Sequence, residues 1–407
     1  MDALEAQVQI DLLLRQGDDA YELGQYVTAE TFFAQAAELA DEYADWPTRL
    51  RAHYWRVEAQ EMQDKNEESF ATYTWLIGLA HDPEVTQSVQ GNTDALKYLY
   101  NAFSGFVAVG GDLPSIPIKR LYAVLDEAEQ FLRDIGHPEW AHKTRLDRAS
   151  LLEAENRLEE ARREYEMALA LRRRDPNSLG YTLGSHLNKV ASILSDLGET
   201  DEAERHYREV WEGREHSIGD RQEAASGLAR VAKKRGKWAE AEHWAREGVA
   251  LAGQIEGPSA PFWARNTLIA VLLGRGKIEE VRWEVGAFWC YGRRLGSAKA
   301  VYTTYTTLGE VRLACARAAL GLSANPDDDL PEGGWAALKK WLLGSGRLRR
   351  ARRYLQTAER WLARAREPGR RLDEQAGVTK REEELNKLEQ KIQALYGWME
   401  GGLGKGG

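Results

Sequence analysis

The side chains most often used in catalysis and metal binding are scattered along this sequence. Its eight histidines form no HExxH pattern, and no cysteine–histidine cluster has the spacing of a metal site. Cys290 and Cys315 are the only cysteines, and the apolar helical stretches around them predict core positions. Gly404-Lys405 lacks the full phosphate-binding pattern GxxxxGK[ST]. We therefore expect no enzymatic activity, no metal and no cofactor, so the sequence has to be read for binding surfaces.

Charge is distributed unevenly along the chain. Residues 1–100 contain 19 acids against 6 lysines and arginines, whereas residues 338–381 contain 14 lysines and arginines against 4 acids. In the basic region, helical spacing places four arginines on one face, opposite an apolar face: Arg349, Arg353, Arg360 and Arg364. Three interpretations stay open. This basic patch is a solvated face, a surface for an acidic partner or for this chain's own N-terminal half, or a nucleic-acid contact that the net charge of −9 disfavours.

The elements that carry these residues are helical hairpins. In residues 186–211, apolar residues recur at helical spacing on both sides of Leu197-Gly198, which predicts two antiparallel helices joined by a tight turn. Ala191 and Ala203 provide the small side chains that a close helix crossing requires. The unit recurs: Ala161, Ala203, Ala241 and Val281 occupy equivalent positions at steps of 42, 38 and 40 residues.

These residues resemble the tetratricopeptide repeat family. That family has a small residue in the first helix (helix A), glycine at the turn, and alanine early in the second (helix B), followed four residues later by an aromatic. Here these are Ala191, Gly198, Ala203 and Tyr207, while Val210 departs from the usual alanine. The period exceeds the usual 34 or so and resembles the long-helix variety of kinesin light chains and bacterial peptide-sensing regulators. The resemblance implies an all-α, right-handed α-solenoid of about eight hairpins.

The predicted organisation follows the hairpins and the changes in composition. A superhelix covers 1–322, with a divergent hairpin at 88–135, and an acidic Pro/Gly loop at 323–334 follows. An Arg-rich hairpin (335–376), a heptad-patterned helix (377–400) and a flexible tail (401–407) complete the chain. The heptad helix is interpreted as a cap on the last repeat, with a homodimer seam through 378–399 as the alternative. In the hairpin at 48–80, Phe70 falls where alanine is expected, which predicts a crossing that is either looser or shifted.

The resemblance also implies a ligand site, because helix A of each hairpin lines the concave groove in this family. Carrying the peptide-facing positions onto this sequence gives a set of seven: Asn188, Ser192, Arg230, Lys233, Lys234, Trp263 and Asn266. Asparagine amides could pair with both backbone groups of an extended peptide, and Arg230 and Lys234 could meet a carboxylate. The expected ligand is an acidic peptide or one with a free C-terminus.

The leading functional prediction is a protein–protein interaction scaffold. The alternatives are a ligand- or peptide-responsive regulatory sensor, and a nucleic-acid-associated adaptor that uses the Arg-rich hairpin. A sensor should change shape on ligand titration, whereas a scaffold should bind rigidly. No apolar run reaches the roughly 18 residues of a membrane span, and the N-terminal MDALEAQVQI has no basic start typical of a signal peptide. The predicted location is therefore the cytoplasm, without membrane contact.

Overall fold

A computed structural model describes residues 3–23, 25–63, 65–113, 115–174, 182–255, 257–330 and 346–404. These residues contain α-helices and one short 3-10 helix, and none of them forms a β-strand. The predicted all-α class is confirmed. Two compact units divide the chain, Met1–His186 and Leu187–Gly407.

The first unit is built from consecutive antiparallel pairs, α1 with α2, α3 with α4, α6 with α7 and α8 with α9. The short α5 precedes the divergent pair. The helices are α1 (Ala3–Glu22), α2 (Tyr26–Tyr43), α3 (Trp46–Glu61), α4 (Asn66–Ala80), α5 (Pro83–Ser88), α6 (Thr93–Asp112), α7 (Ile118–Asp134), α8 (Ala141–Ala154) and α9 (Leu158–Arg174). A 3-10 turn at Pro138–Trp140 leads into α8.

The second unit continues the same arrangement, and the division between the units falls within α10. Its helices are α10 (Leu183–Leu197), α11 (Thr200–Glu212), α12 (Ile218–Lys234), α13 (Trp238–Ala252), α14 (Ser259–Gly274), α15 (Ile278–Leu295), α16 (Ala298–Ala319), α17 (Arg347–Ala376) and α18 (Lys380–Gly404). The turns between paired helices use the predicted glycines. Gly198, Gly236 and Gly276 have φ of 90°, 71° and 68°, a left-handed conformation that other residues adopt at a cost.

Small residues lie at the helix crossings, as the repeat pattern predicts. Ala161, Ala203 and Ala241 are all fully buried. The placement of Phe70 at the equivalent position was wrong by one residue. Ser69 is the fully buried small residue there, while Phe70 is only partly buried and packs against Phe106, their ring centroids 4.4 Å apart. The crossing therefore keeps a small side chain but is shifted by one residue, so the shift is the alternative that holds and no loosening is needed.

The C-terminal helices form a core of their own. α17 is one continuous helix, and the first arm of the Arg-rich hairpin predicted at 335–376 falls within 331–345, outside the described residues, as does the end of the predicted loop. The heptad positions of α18 are buried in a cluster with α16 and α17: Leu385, Leu388, Ile392, Leu395 and Met399. A homodimer through 378–399 would have to withdraw these side chains from their own chain. α18 continues to Gly404, so residues 401–404 are helical where a flexible tail was predicted, and 405–407 are not among the described residues.

Across the part of the chain that is described, the helices are too short or too polar for any of them to span a lipid bilayer.

Candidate functional site

A buried tyrosine hydroxyl recurs at the face formed by the first helices of the hairpins. We call this the A-helix face and define it for each unit separately: α1, α3, α6 and α8 form that of the first unit, and α10, α12, α14 and α16 that of the second. Tyr73, Tyr165 and Tyr207 occupy the aromatic position of helix B, each almost fully buried. The hydroxyl groups of Tyr73 and Tyr165 reach polar side chains of helix A that lie 15 and 12 residues earlier in the chain. The hydroxyl of Tyr207 meets Ser192, 15 residues earlier, and Arg230 on the first helix of the next hairpin. The repeat thus delivers a fixed polar group to the equivalent place on three of the hairpins.

In the first unit these hydroxyls meet carboxylates. Tyr73 Oη lies 3.1 Å from Glu58 Oε1 and 2.7 Å from Glu61 Oε2. Burial raises the pKa of Glu61 to about 7, and the neighbouring Glu58 carboxylate adds to the rise. The Tyr73 hydroxyl can donate its proton to only one of the two carboxylates at a time. A proton held on Glu61 removes the charge repulsion with Glu58 and supplies the second hydrogen-bond donor. Tyr165 Oη similarly lies 3.0 Å from Glu153 Oε2.

In the second unit the same position meets a cation. Arg230 of α12 donates from Nη2 to the Tyr207 hydroxyl over 3.0 Å, and the Ser192 hydroxyl lies 3.5 Å from the same nitrogen. Arg230 is exposed, and no carboxylate among the described residues forms an ion pair with it. Burial raises the pKa of Tyr207, so the neutral hydroxyl accepts from the guanidinium without neutralising its charge. Arg230 is held in place and keeps donors for a ligand.

The two predicted lysines differ in how they are engaged. Lys234 Nζ donates to the Ser195 carbonyl over 2.7 Å and pairs with Asp196 Oδ1 at 3.1 Å. Lys233 is exposed and forms no ion pair within the described ranges, although it is near enough to lower the pKa of Glu310 on α16 against the larger rise caused by burial. Lys233 therefore extends the positive charge of Arg230 along the C-terminal end of α12, while the charge of Lys234 is largely compensated.

Trp263 and Asn266 lie on α14 and are half-buried. The ammonium of Lys299 lies over the Trp263 ring at 5.6 Å from its centroid, and Asn266 Oδ1 accepts a hydrogen bond of 2.8 Å from Thr307 Oγ1. A ligand at α14 could use the remaining ring surface of Trp263 and the amide nitrogen of Asn266.

Asn188 is a correction to the predicted set. Its side chain is fully buried, and Nδ2 donates to the Asp220 carbonyl over 2.8 Å, which ties α10 to the start of α12. A peptide cannot reach it in this conformation. The helical spacing placed Asn188 on the correct helix, but the neighbouring α12 covers it, and that contact cannot be read from α10 alone.

The basic patch of α17 lies on the helix face opposite the core. Arg349, Arg353, Arg360 and Arg364 are exposed and form no ion pair within the described residues. The guanidinium of Arg364 lies over the ring of Trp361 at 4.9 Å from its centroid. The patch is therefore solvated in this structure, and the other two interpretations of it remain predictions.

The sequence prediction for the cysteines was half right. Cys315 is buried, but Cys290 is exposed on α15. His142 and His186 are fully buried and lie 3.1 Å apart, Nδ1 to Nε2, as neighbouring core side chains. Among the described residues, no group of three or more histidine, cysteine or acidic side chains is arranged to hold a metal ion.

Comparison with known proteins finds repeats in the middle of the chain. Residues 183–224 and 222–260 each match the family model described as tetratricopeptide repeat. No curated protein matches the sequence.

Solved structures give more distant similarities. A Rap protein complexed with competence and sporulation factor is 14% identical, with 97% of this chain and 99% of that chain covered and a TM-score of 0.49. The apo quorum sensor NprR from B. thuringiensis is 12% identical, with 88% and 99% covered and a TM-score of 0.46. A tetratricopeptide repeat protein from Parabacteroides merdae is 15% identical, with 84% and 98% covered and a TM-score of 0.33.

Proposed function

We propose that this chain, in which residues 183–260 match the tetratricopeptide repeat model, is a partner-binding protein whose second unit binds a carboxylate-bearing peptide segment on its A-helix face. The observation that carries the proposal is Arg230, which is exposed, charged and fixed by a neutral hydroxyl. A guanidinium whose position is already set loses little side-chain entropy when a ligand binds. The ligand therefore pairs its carboxylate with Arg230.

The neighbouring side chains define the rest of the site. Lys233 adds a second exposed positive charge, and Ser192 adds a hydroxyl beside the guanidinium. Trp263 and Asn266 on α14 offer a ring surface and an amide to the continuing peptide. Lys234 strengthens the local field but is already paired with Asp196. The proposal thus keeps six of the seven predicted residues and leaves out the buried Asn188.

The test uses a random decapeptide library, synthesised both as free acids and as C-terminal amides. Peptides retained by the wild-type protein are labelled, and their affinities are measured by fluorescence anisotropy for the wild type and for Arg230→Gln. A charge-assisted hydrogen bond is worth about 1.5–3 kcal/mol, so we expect a loss of about tenfold or more. The comparison of acid and amide peptides shows whether the carboxylate is terminal or on a side chain.

The matched control is Arg205→Gln. Arg205 is exposed on α11, a helix B, where its guanidinium pairs with Glu202 one turn earlier. We expect its substitution to leave the affinity unchanged. Retained peptides that bind equally to Arg230→Gln, or a library that gives no more retention on the wild type than on Arg230→Gln, would contradict the proposal.

A further inference from the structure

The first unit contains a cavity that the predicted groove residues do not include. It has a volume of about 510 Å³ and lies on the A-helix face among α1, α3 and α6. Aromatic rings and charged groups share its walls. The lining side chains used below are Tyr21, Trp55, Tyr98, Asp18, Glu22, Arg51 and Asp94.

The aromatic wall is held in place by contacts among its rings. The rings of Tyr21 and Trp55 meet edge to face, with centroids 5.4 Å apart and an interplanar angle of 70°. Behind them, the buried Tyr54 contacts Trp55 at 5.8 Å and Tyr98 at 5.1 Å between centroids. Tyr21, Trp55 and Tyr98 are themselves half-buried. Ring surface therefore remains at the cavity, and the face of an indole or phenol ring carries the negative potential that attracts cations.

The charged groups of the cavity are mostly acidic. Asp18 pairs with Arg51 at 2.7 Å, and Asp94 at the rim pairs with Lys97 at 2.7 Å. Glu22 is exposed and has no ion-pair partner within the described residues. The lining thus contains three carboxylates and one guanidinium. Deeper in the unit, Glu58 and Glu61 are close enough to Tyr21 to raise its pKa, although burial is the larger cause.

A ligand for this cavity must combine positive charge with a flat surface. A guanidinium does both, because it stacks on aromatic faces and donates to two carboxylate oxygens in one plane. An ammonium group has the charge without the planar fork. A guanidinium alone would leave much of the volume empty, so the chain that carries it must lie in the cavity as well. An anion would face a lining with more acidic than basic side chains.

We propose that this cavity binds an arginine side chain of a partner peptide, with the guanidinium stacked on Trp55 and paired to Glu22. Arg51 already pairs with the Asp18 carboxylate, so it competes with the incoming arginine for Asp18. The proposal is independent of the Arg230 site, because it concerns the other unit and the opposite ligand charge.

The test follows Trp55 directly. Protein that contains 5-fluorotryptophan gives a ¹⁹F resonance for each tryptophan, and the Trp55 resonance is the one lost in Trp55→Phe. The probes are the peptide acetyl-Gly-Ser-Gly-Arg-Gly-Ser-Gly-amide and the same peptide with lysine or citrulline in place of arginine. We expect a saturable shift with arginine, a weaker one with lysine and none with citrulline, which keeps the shape of arginine without its charge.

Two variants are expected to act in opposite directions. Glu22→Gln removes the unpaired carboxylate and should weaken arginine-peptide binding by roughly two- to fivefold, as expected for one exposed charge pair. Arg51→Gln removes the competing cation and should strengthen it by a similar factor, which damage to the fold would not do. Glu159→Gln, on α9 and exposed, is the control and should leave the midpoint unchanged. Equal ¹⁹F shifts with the arginine and citrulline peptides, or weaker arginine-peptide binding by Arg51→Gln, would overturn the proposal. Arg230→Gln should leave the titration of the Trp55 resonance unchanged from the wild type.

Discussion

The first and second units present the same tyrosine hydroxyl with opposite charges around it. In the first unit Tyr73 meets Glu58 and Glu61, and in the second unit Tyr207 meets Arg230. In both, the ring is almost fully buried and fixed by the repeat. The packing of the repeat therefore places a hydroxyl at the A-helix face in both units. Neighbouring side chains that contribute little to the packing determine which ligand charge the face favours.

The largest effect should come from filling the space beside the two rings. A Cβ at Gly105 of α6 would overlap the ring of Tyr73, and one at Gly227 of α12 would overlap the ring of Tyr207. We expect Gly105→Ala and Gly227→Ala each to lower the free energy of unfolding by about 2 kcal/mol, because overpacking exceeds the gain in helix propensity. Urea denaturation measures both.

The matched controls for these substitutions are Gly78→Ala in α4 and Gly286→Ala in α15. Both glycines are exposed, and an added Cβ meets no atom within 4 Å. Alanine there should raise the free energy of unfolding by roughly 0.5–1 kcal/mol. If Gly105→Ala or Gly227→Ala behaves like these controls, the tyrosine rings are not tightly packed against these glycines. The two units would then not hold their tyrosines in the same way.

An intermediate effect should separate the two hydroxyls. At pH 8, Tyr73→Phe leaves two crowded carboxylates without their donor and should cost about 1.5 kcal/mol of unfolding free energy. Tyr207→Phe should cost about 0.5 kcal/mol, because the exposed Arg230 can turn to water. Thermal and urea unfolding of both variants provide the measurement. Equal losses would show that charge at the A-helix face does not distinguish the units.

The last effect is a pH dependence that we expect from the first unit. The pKa of Glu61 is raised in the folded chain to about 7 from an ordinary 4.5, chiefly by burial. The folded state therefore binds the Glu61 proton more tightly than the unfolded state does. The stability that this proton contributes is fully present below about pH 4.5 and is lost as pH rises through 7. Against Glu61→Gln, the wild type should lose on the order of 1 kcal/mol between pH 5 and pH 8.

Urea midpoints for the wild type and Glu61→Gln across that range give the difference directly. Glu153→Gln, at the corresponding position beside Tyr165, supplies the baseline for exchanging a carboxylate for an amide. A difference between wild type and Glu61→Gln that stays constant from pH 5 to pH 8 would contradict the prediction. It would show that Glu61 holds no proton in this range and that both Glu58 and Glu61 are charged.

Much of the fold could be predicted because the repeat pattern is local. Ala203 and Tyr207 lie in one helix, so helical spacing alone identified them. Phe70 shows the limit, since the adjacent Ser69 and Phe70 differ by a rotation of about 100° that periodicity does not resolve. The aromatic Tyr73, four residues after Ser69, was the signal that could have corrected the register.

The candidate site was harder to predict, because it depends on contacts between hairpins. Arg230 and Lys233 were identified from their positions on helix A, and both are exposed. Asn188 was chosen by the same rule but is buried beneath α12. The cavity among α1, α3 and α6 combines side chains from three helices that are distant in sequence, so no single sequence motif predicts it.

The sequence by itself determined the helical hairpins, their turns and the small residues at their crossings, because these follow from short-range periodicity and backbone conformation. Only the tertiary structure decided which polar residues remain accessible and which charges lie together. It buried Asn188, left Arg230 with a neutral partner, and gave Glu61 a shifted pKa. The physical reason is that accessibility and electrostatic environment depend on distances between helices, and those distances are fixed only when the hairpins pack.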